Sequence, residues 1–294
     1  MKIQIPDSLK EDAPKNNWGK ILTATPIIMT VISTMLAGLA SSEMTRAQYS
    51  RSSGAQQQAK AGDQWGYFQA KRLRGAMQRS TLDLLQATVA LHPADTSTLG
   101  SLPAGTLAAI QKGELLPLPP EVTLEPAIKS ALEMLEAAKP DEEIAVPLNT
   151  IELKTLVDAE RATRERADTY DVLMKPISKA IDEIEQSLAN AGQERLRDFT
   201  AVRLRYTSNR YDAEARLNQG IAELIELEVR KSNLIAERHR RRSQRFFFGM
   251  LGAQMAVIVS TFSLAARARS MLWTFAAAAG LSAVGFAVYV FFYV

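Results

Sequence analysis

The sequence predicts an all-α membrane protein: three transmembrane helices, with a long antiparallel, coiled-coil-like helical domain outside the bilayer. Two observations carry this. Apolar residues crowd into the two ends of the chain, although the whole averages 47% hydrophobic with a mean hydropathy of −0.09. The stretch between them is rich in Arg, Glu, Gln and Ala, the composition of solvent-facing helices, and its prolines fall mostly between residues 93 and 150.

Residues 1–20 read as a polar amino-terminal tail. The first span covers 21–42, 22 residues without a charge, long enough for a hydrocarbon core of roughly 30 Å. Pro26 lies near its start, where a helix tolerates proline best. A cleaved leader is the alternative, because Lys15 and Lys20 precede the run and Ala37-Gly38-Leu39-Ala40 resembles a small-residue cleavage site. The length of the run favours a span.

Residues 43–92 contain no proline and read as one long stalk helix, about 75 Å if helical throughout, with bends expected at Gly54, Gly62, Gly66 and Gly75. Its densest patch is Asp63-Gln64-Trp65-Gly66-Tyr67-Phe68-Gln69-Ala70-Lys71. There Trp65, Phe68 and Arg72 share a helical face while Tyr67 points elsewhere. Packing between helices explains these aromatics more simply than a ligand platform does.

Residues 93–150 form a proline-punctuated acidic section, read as a cap at the tip of the stalk. Pro117, Pro119 and Pro120 rule out a continuous helix, since each ring removes a donor and clashes with the preceding turn. One short helix fits: Pro126 at its first position, Ile128, Ala131, Leu132 and Leu135 on one face, and an end before Pro140. Glu142 and Glu143 read as solvated charges rather than catalytic acids.

Residues 151–245 read as the returning stalk helices. Asn149 and Thr150, ahead of Glu152, suggest a cap, and Pro176 a bend or restart. Ile177, Ile181, Ile184, Leu188 and Ala191 follow a four-three rhythm, which loosens through Val202, Tyr206, Ala213, Leu217, Leu224, Leu227 and Leu234. This helix is expected to enter the second span unbroken and to pair antiparallel with residues 43–92.

The second span covers 246–266 and the third 270–294, joined by the short turn Arg267-Ala268-Arg269-Ser270. Phe246, Phe247 and Phe248 at one outer end, and Tyr289, Phe291, Phe292 and Tyr293 at the other, read as one interfacial belt. Small residues recur at helical spacing, Gly249 with Ala253, Gly252 with Ala256, Ala276 with Gly280, and Ala279 with Ala283 and Ala287. Such stripes let helices approach closely in lipid, within one chain or between copies. Trp65, Phe68, Gly249, Ala253, Ala276 and Gly280 are therefore the candidate packing and association residues. Gln254 is the only strongly polar side chain well inside a span, and no Asp, Glu, Lys or Arg lies in any of the three. That argues against ion-coupled transport.

Arg238, Arg240, Arg241, Arg242 and Arg245 abut the second span, where contact with anionic lipid headgroups is the ordinary role. Within about 20 residues of the spans, ten basic residues lie on the domain side and six on the other, a bias that places the domain in the cytoplasm.

Asn16-Asn17-Trp18 leading into a first span, the stretch Ala61-Gly62-Asp63-Gln64-Trp65-Gly66-Tyr67-Phe68-Gln69-Ala70-Lys71, and a closing hairpin with Arg267 and Arg269 in its turn together resemble a bacterial membrane family of unknown function, number 4337 in the domain-of-unknown-function series. The resemblance implies this architecture and a bacterial inner-membrane location, and no activity.

With no Cys and only His92 and His239, no cofactor or metal site is expected, and a net charge of +3 does not suggest a nucleic-acid binder. There is no Walker-type loop, no Gly-x-Ser-x-Gly and no His-Glu-x-x-His. The leading expectation is a non-enzymatic membrane-anchored scaffold, homo-oligomeric through its spans and stalk, with membrane lipids as its other partners. An oligomeric channel or transport accessory lined by Gln254, Ser260, Thr261 and Ser263 is the alternative. A membrane sensor with a ligand-binding helical domain is the third reading.

Overall fold

The computed structural model describes residues 17–93, 110, 112–188, 192–265 and 271–293. The tail before Asn17, Ala191 and the turn Arg267 to Ser270 lie outside the described residues. Among the described residues six helices with full bounds follow one another: α1 (Asn17–Thr88), α2 (Pro126–Glu136), α3 (Asp141–Thr150), α4 (Leu153–Leu188), α5 (Gln193–Ala265) and α6 (Met271–Tyr293). No strand occurs among the described residues. Both α1 and α5 contain a stretch long and apolar enough to cross a membrane, and α6 a shorter apolar one, Thr274–Phe286. The chain divides into two compact units, residues 1–52 with 233–294, and residues 53–232.

In the unit of residues 53–232, α5 is the central helix. Between Ile221 and Ser232 it is buried on almost every side, including the polar Glu223, Glu228, Lys231 and Ser232. Hydrogen bonds set α1 antiparallel along it: Gln64 donates to Asn218 (2.7 Å), Lys71 to Glu214 (2.5 Å), and Ser208 Oγ to the Gly75 carbonyl (3.1 Å). Residue numbers rise on one helix as they fall on the other. Helix α4 also runs antiparallel to α5, through Arg203 to Glu185 at 2.6 Å and Tyr206 Oη to the Met174 sulfur at 3.4 Å. Between α4 and α5, Tyr170, Met174, Ile177, Ile181, Ile184 and Leu188 meet Phe199, Tyr206, Ala213 and Leu217 in the principal hydrophobic cluster. Their four-three spacing explains why this seam is visible in the sequence.

The glycines of α1 do not interrupt it. A Cβ at Gly62 or Gly66 would meet nothing within 4 Å, so there the missing side chain serves no packing purpose in the chain. Gly75 differs: a Cβ would lie 2.9 Å from Asp212 Oδ1, 3.3 Å from Tyr211 Cβ and 3.4 Å from the Ser208 carbonyl. It is the point where α1 touches α5 backbone to backbone.

Three expectations need correction. Pro176 neither ends nor restarts α4, because the buried Met174 and Ile177 on either side hold that turn against α5. Asn149 and Thr150 close α3 rather than cap the helix after it, and Thr150 Oγ1 donates to the Pro147 carbonyl at 2.8 Å. Among its described residues the proline-punctuated section contains the helices α2 and α3, besides the helical Ile110 and Lys112, and it does not stop at the Gln193 end of α5. Instead Arg230 of α5 pairs with Asp141, and buried Lys231 donates to the Leu148 carbonyl at 2.7 Å. Ile128, Ala131, Ile144 and Leu148 are buried, and it is this apolar face that pulls an acidic segment back along α5.

In the unit of residues 1–52 and 233–294, α1, α5 and α6 pack through small residues. Ser243 Oγ donates to the Ala40 carbonyl at 2.8 Å, and Leu36, Ala40 and Phe246 form a cluster. A Cβ at Gly249 would meet Leu36 Cδ1 at 3.4 Å, and one at Gly280 would meet the Met29 sulfur at 2.6 Å.

The close approach at Gly75 yields a prediction. Gly75→Leu should destabilise the full-length protein by about 1–3 kcal/mol in chemical denaturation followed by circular dichroism, by forcing apart two packed backbones. Gly62→Ala, an added methyl in open space on a helix, should stabilise it by about 0.5–1 kcal/mol.

Candidate functional site

The side chains with the most chemistry in the described structure converge where α1, α4 and α5 meet. Gln64, Tyr67 and Lys71 reach this point from α1, spaced three and four residues apart so that one helical face presents all three. Glu214 of α5 lies at the centre, only 2% exposed. It accepts from Lys71 Nζ at 2.5 Å on one oxygen and from Arg210 Nε at 2.6 Å on the other. Arg210 also donates to Ser178 of α4. Asn218, one turn on from Glu214, donates to the Glu214 carbonyl at 2.7 Å and receives Gln64.

Lys71 Nζ also lies 5.0 Å from the Tyr67 ring centre and 5.5 Å from that of Tyr211, a cation between two aromatic faces. Burial by itself would lower the Lys71 pKa, but hydrogen bonding to Glu214 and Tyr67 outweighs it, and the ammonium is held above its ordinary value. Arg210 behaves likewise, with Glu214 overcoming the cost of burial. One carboxylate thus neutralises part of two buried cations, and burial with a full set of partners makes the cluster rigid.

Beside it lies a cleft of about 250 Å³ lined by Gln64, Tyr67, Arg164, Ala167, Asp168, Asp171, Glu214, Leu217, Asn218 and Ile221. Its lining carries both charge signs together with the apolar Ala167, Leu217 and Ile221. Arg164 is tied to Glu160 at 2.5 Å, and the Glu214 carboxylate is engaged as described. What the arrangement does chemically is lock three helices at one register.

Trp65 and Phe68 are half-buried and stacked edge to face with ring centres 5.5 Å apart, Trp65 packing on the Ala61, Ile221 and Ile225 cluster. The same eleven residues therefore supply the packing pair and, on the adjoining face, the polar groups at Glu214. Residues 18–112 match the model of a family described as a domain of unknown function, DUF4337. No curated protein and no solved structure matches the chain. The DUF4337 match takes in Trp18, the whole Ala61–Lys71 stretch and the first part of the proline-punctuated section. Glu214, Arg210 and Asn218, which complete the cluster, lie beyond it. Sequence reasoning missed them because no hydrophobic period flags a buried carboxylate. The one available signal was the Arg210–Glu214 spacing of four.

Among the other candidate residues, Gly249, Ala253, Ala276 and Gly280 are all buried against helices of their own chain. Phe246 is buried too, whereas Phe247 and Phe248 are exposed, the expected turn of 100° per residue separating them. Ser260 and Ser263 are buried while Gln254 and Thr261 are exposed, so these four do not line one surface. In the basic run, Arg240 and Arg241 both contact Glu237, at 3.5 and 3.2 Å, and Arg238, Arg240 and Arg241 are exposed. Arg242 and Arg245 are half-buried, the latter with its guanidinium 5.8 Å from the Tyr289 ring centre. His239, unremarkable within that run, contacts Glu43 at 2.6 Å.

Glu228 of α5 is 3% exposed, and its Oε1 has no hydrogen-bond partner. Burial, reinforced by Glu160 and opposed by Lys60 and Arg164, pushes its carboxyl up to about 7 from an ordinary 4.5.

Two predictions follow from these groups. Lys71→Met should cost about 3 kcal/mol, by leaving Glu214 buried with one cation, whereas Lys71→Met combined with Glu214→Leu should cost clearly less than the sum of the singles. A double-mutant denaturation cycle measures this. For Glu228, the folded chain keeps a proton that the unfolded chain has released between pH 4.5 and 7, so stability falls as pH rises through that window and levels off above it. Glu228→Gln should flatten this slope and gain about 3 kcal/mol at pH 8, read from denaturation midpoints across pH.

Proposed function

We propose that this chain is a non-enzymatic, membrane-anchored scaffold that associates with copies of itself. Its spans are residues 21–42, 246–266 and 270–294, and its antiparallel, coiled-coil-like stalk lies on the cytoplasmic side of a bacterial inner membrane. Two patterns support the membrane part. Along α1, Ser33, Leu36 and Ala40 are buried while Ile27, Ile28, Val31, Met35 and Leu39 are exposed. Along α5, Ala253, Ala256, Ser260 and Ser263 are buried while Leu251, Met255, Ile258 and Phe262 are exposed. Small groups inside and large apolar groups outside invert the order of a water-soluble core and suit a lipid solvent.

The observation that carries self-association lies on α1. Gly66, Ala70, Leu73, Met77, Ser80, Leu84 and Ala87 recur at four-three spacing and all are exposed, Leu73 at 62%, Met77 at 59% and Leu84 at 66%. This is an uncharged heptad stripe over three heptads, separate from the face that α1 turns to α5. Copies held in one bilayer by the start of α1 present the stripe in the same direction, which suits parallel pairing. Confinement to the membrane raises their effective concentration, so a narrow seam suffices. Gly249, Ala253, Ala276 and Gly280 are already used within the chain, so association falls to the stalk rather than to those positions.

The chain has no cysteine, which makes a direct test possible. Met77→Cys in membranes should form a disulfide dimer under mild oxidation, and Gln86→Cys, off the stripe, should not. Monomer alone from Met77→Cys, with monomer alone in native mass spectrometry, would remove the scaffold reading.

A further inference from the structure

We propose that the groove between α1 and α5 beside Phe247 and Phe248 holds an acyl chain of one anionic phospholipid, whose phosphate sits at Arg240 and Arg241. This rests on the membrane reading above and names a site within it. The groove encloses about 610 Å³, within the range of sites that take small molecules. Ala37, Ala40 and Ser41 of α1 make its floor shallow-sided and open, and Met44, Met250, Phe247 and Phe248 form apolar walls. Methionine walls adapt to a flexible chain without a fixed shape.

The polar end is what selects the occupant. Gln244 lines the groove, with Arg240 one turn before it and Phe247 one turn after, so the three share a face of α5. Arg241, Gln244 and Phe248 are related in the same way. The two exposed guanidiniums share the single carboxylate of Glu237, which leaves one net positive charge at the mouth. An apolar slot ending in positive charge complements a lipid with a hydrocarbon chain and an anionic headgroup. A second copy placed symmetrically on the groove would bring these arginines against their own kind, which disfavours it.

Native mass spectrometry of the full chain in mild detergent tests this, with phosphatidylglycerol and phosphatidylcholine as the added lipids. Phosphatidylglycerol should bind about fivefold more tightly, at one molecule per chain, the advantage expected of one unneutralised basic group. Arg240→Gln with Arg241→Gln should abolish that preference. Ser41→Phe, at an exposed position on the groove floor, should lower phosphatidylglycerol occupancy with the arginines intact, and Ala37→Phe should do the same. Equal binding of the two lipids, or phosphatidylglycerol binding untouched by both groove-filling variants in chains of unchanged helicity, would overturn the proposal. So would full displacement by inorganic phosphate, which would reduce the site to a free-anion site, or a Phe248→Cys disulfide dimer, which would give the groove to a second copy. A chain that is soluble and monodisperse without detergent would instead remove the membrane reading itself. A chain that needs detergent but fails the lipid arms would remove only the groove.

Discussion

A carboxylate with almost no access to water must find its charge partners inside the protein, and the partners of Glu214 set the order of the domain around it. Lys71 brings α1 to α5 at one register, Arg210 extends the network to Ser178 of α4, and Asn218 adds Gln64 one turn away. Each bond is between groups that would be costly to bury alone, so a slip of α1 by one turn would strand several of them at once. Hydrophobic contact drives these helices together. The polar cluster decides which of the many possible alignments of three long helices is adopted.

The same economy of side chains operates differently among the helices that pack at Gly249 and Gly280. There the contacts are made by Gly, Ala and Ser, which gain little from leaving water and much from close approach of backbones. Large apolar groups such as Ile28, Met35 and Phe262 stand outward. The two polar ties described in that unit, Glu43 with His239 and Ser243 with the Ala40 carbonyl, lie beside the apolar groove and on neighbouring turns of the same two helices.

In the central domain the charges around Glu214 satisfy one another while Glu228 keeps an unpaired oxygen, and the described surface includes an uncharged stripe along α1. The acidic α2–α3 segment, held by Arg230 and Lys231, thickens the domain around α5 and does not extend it.

The sequence by itself determined the helical class, the positions of the apolar stretches in α1 and α5, the short helix starting at Pro126, and the four-three seam from Ile177 to Leu188. Each of these is written in local hydrophobic period or in proline placement, which need no knowledge of neighbours. The DUF4337 stretch was also legible, as a dense run of aromatic and amide residues. Only the tertiary structure decided what lay opposite it. The α1 face toward α5 mixes the polar Gln64 and Lys71 and the small Gly75 with the apolar Ala61, Trp65 and Leu82, an irregular pattern from which neither its register nor the burial of Glu214 and Glu228 could be read. The expected restart at Pro176 and the expected cap at Asn149 failed for the same reason. Long-range packing outweighed a local preference worth only a few kcal/mol.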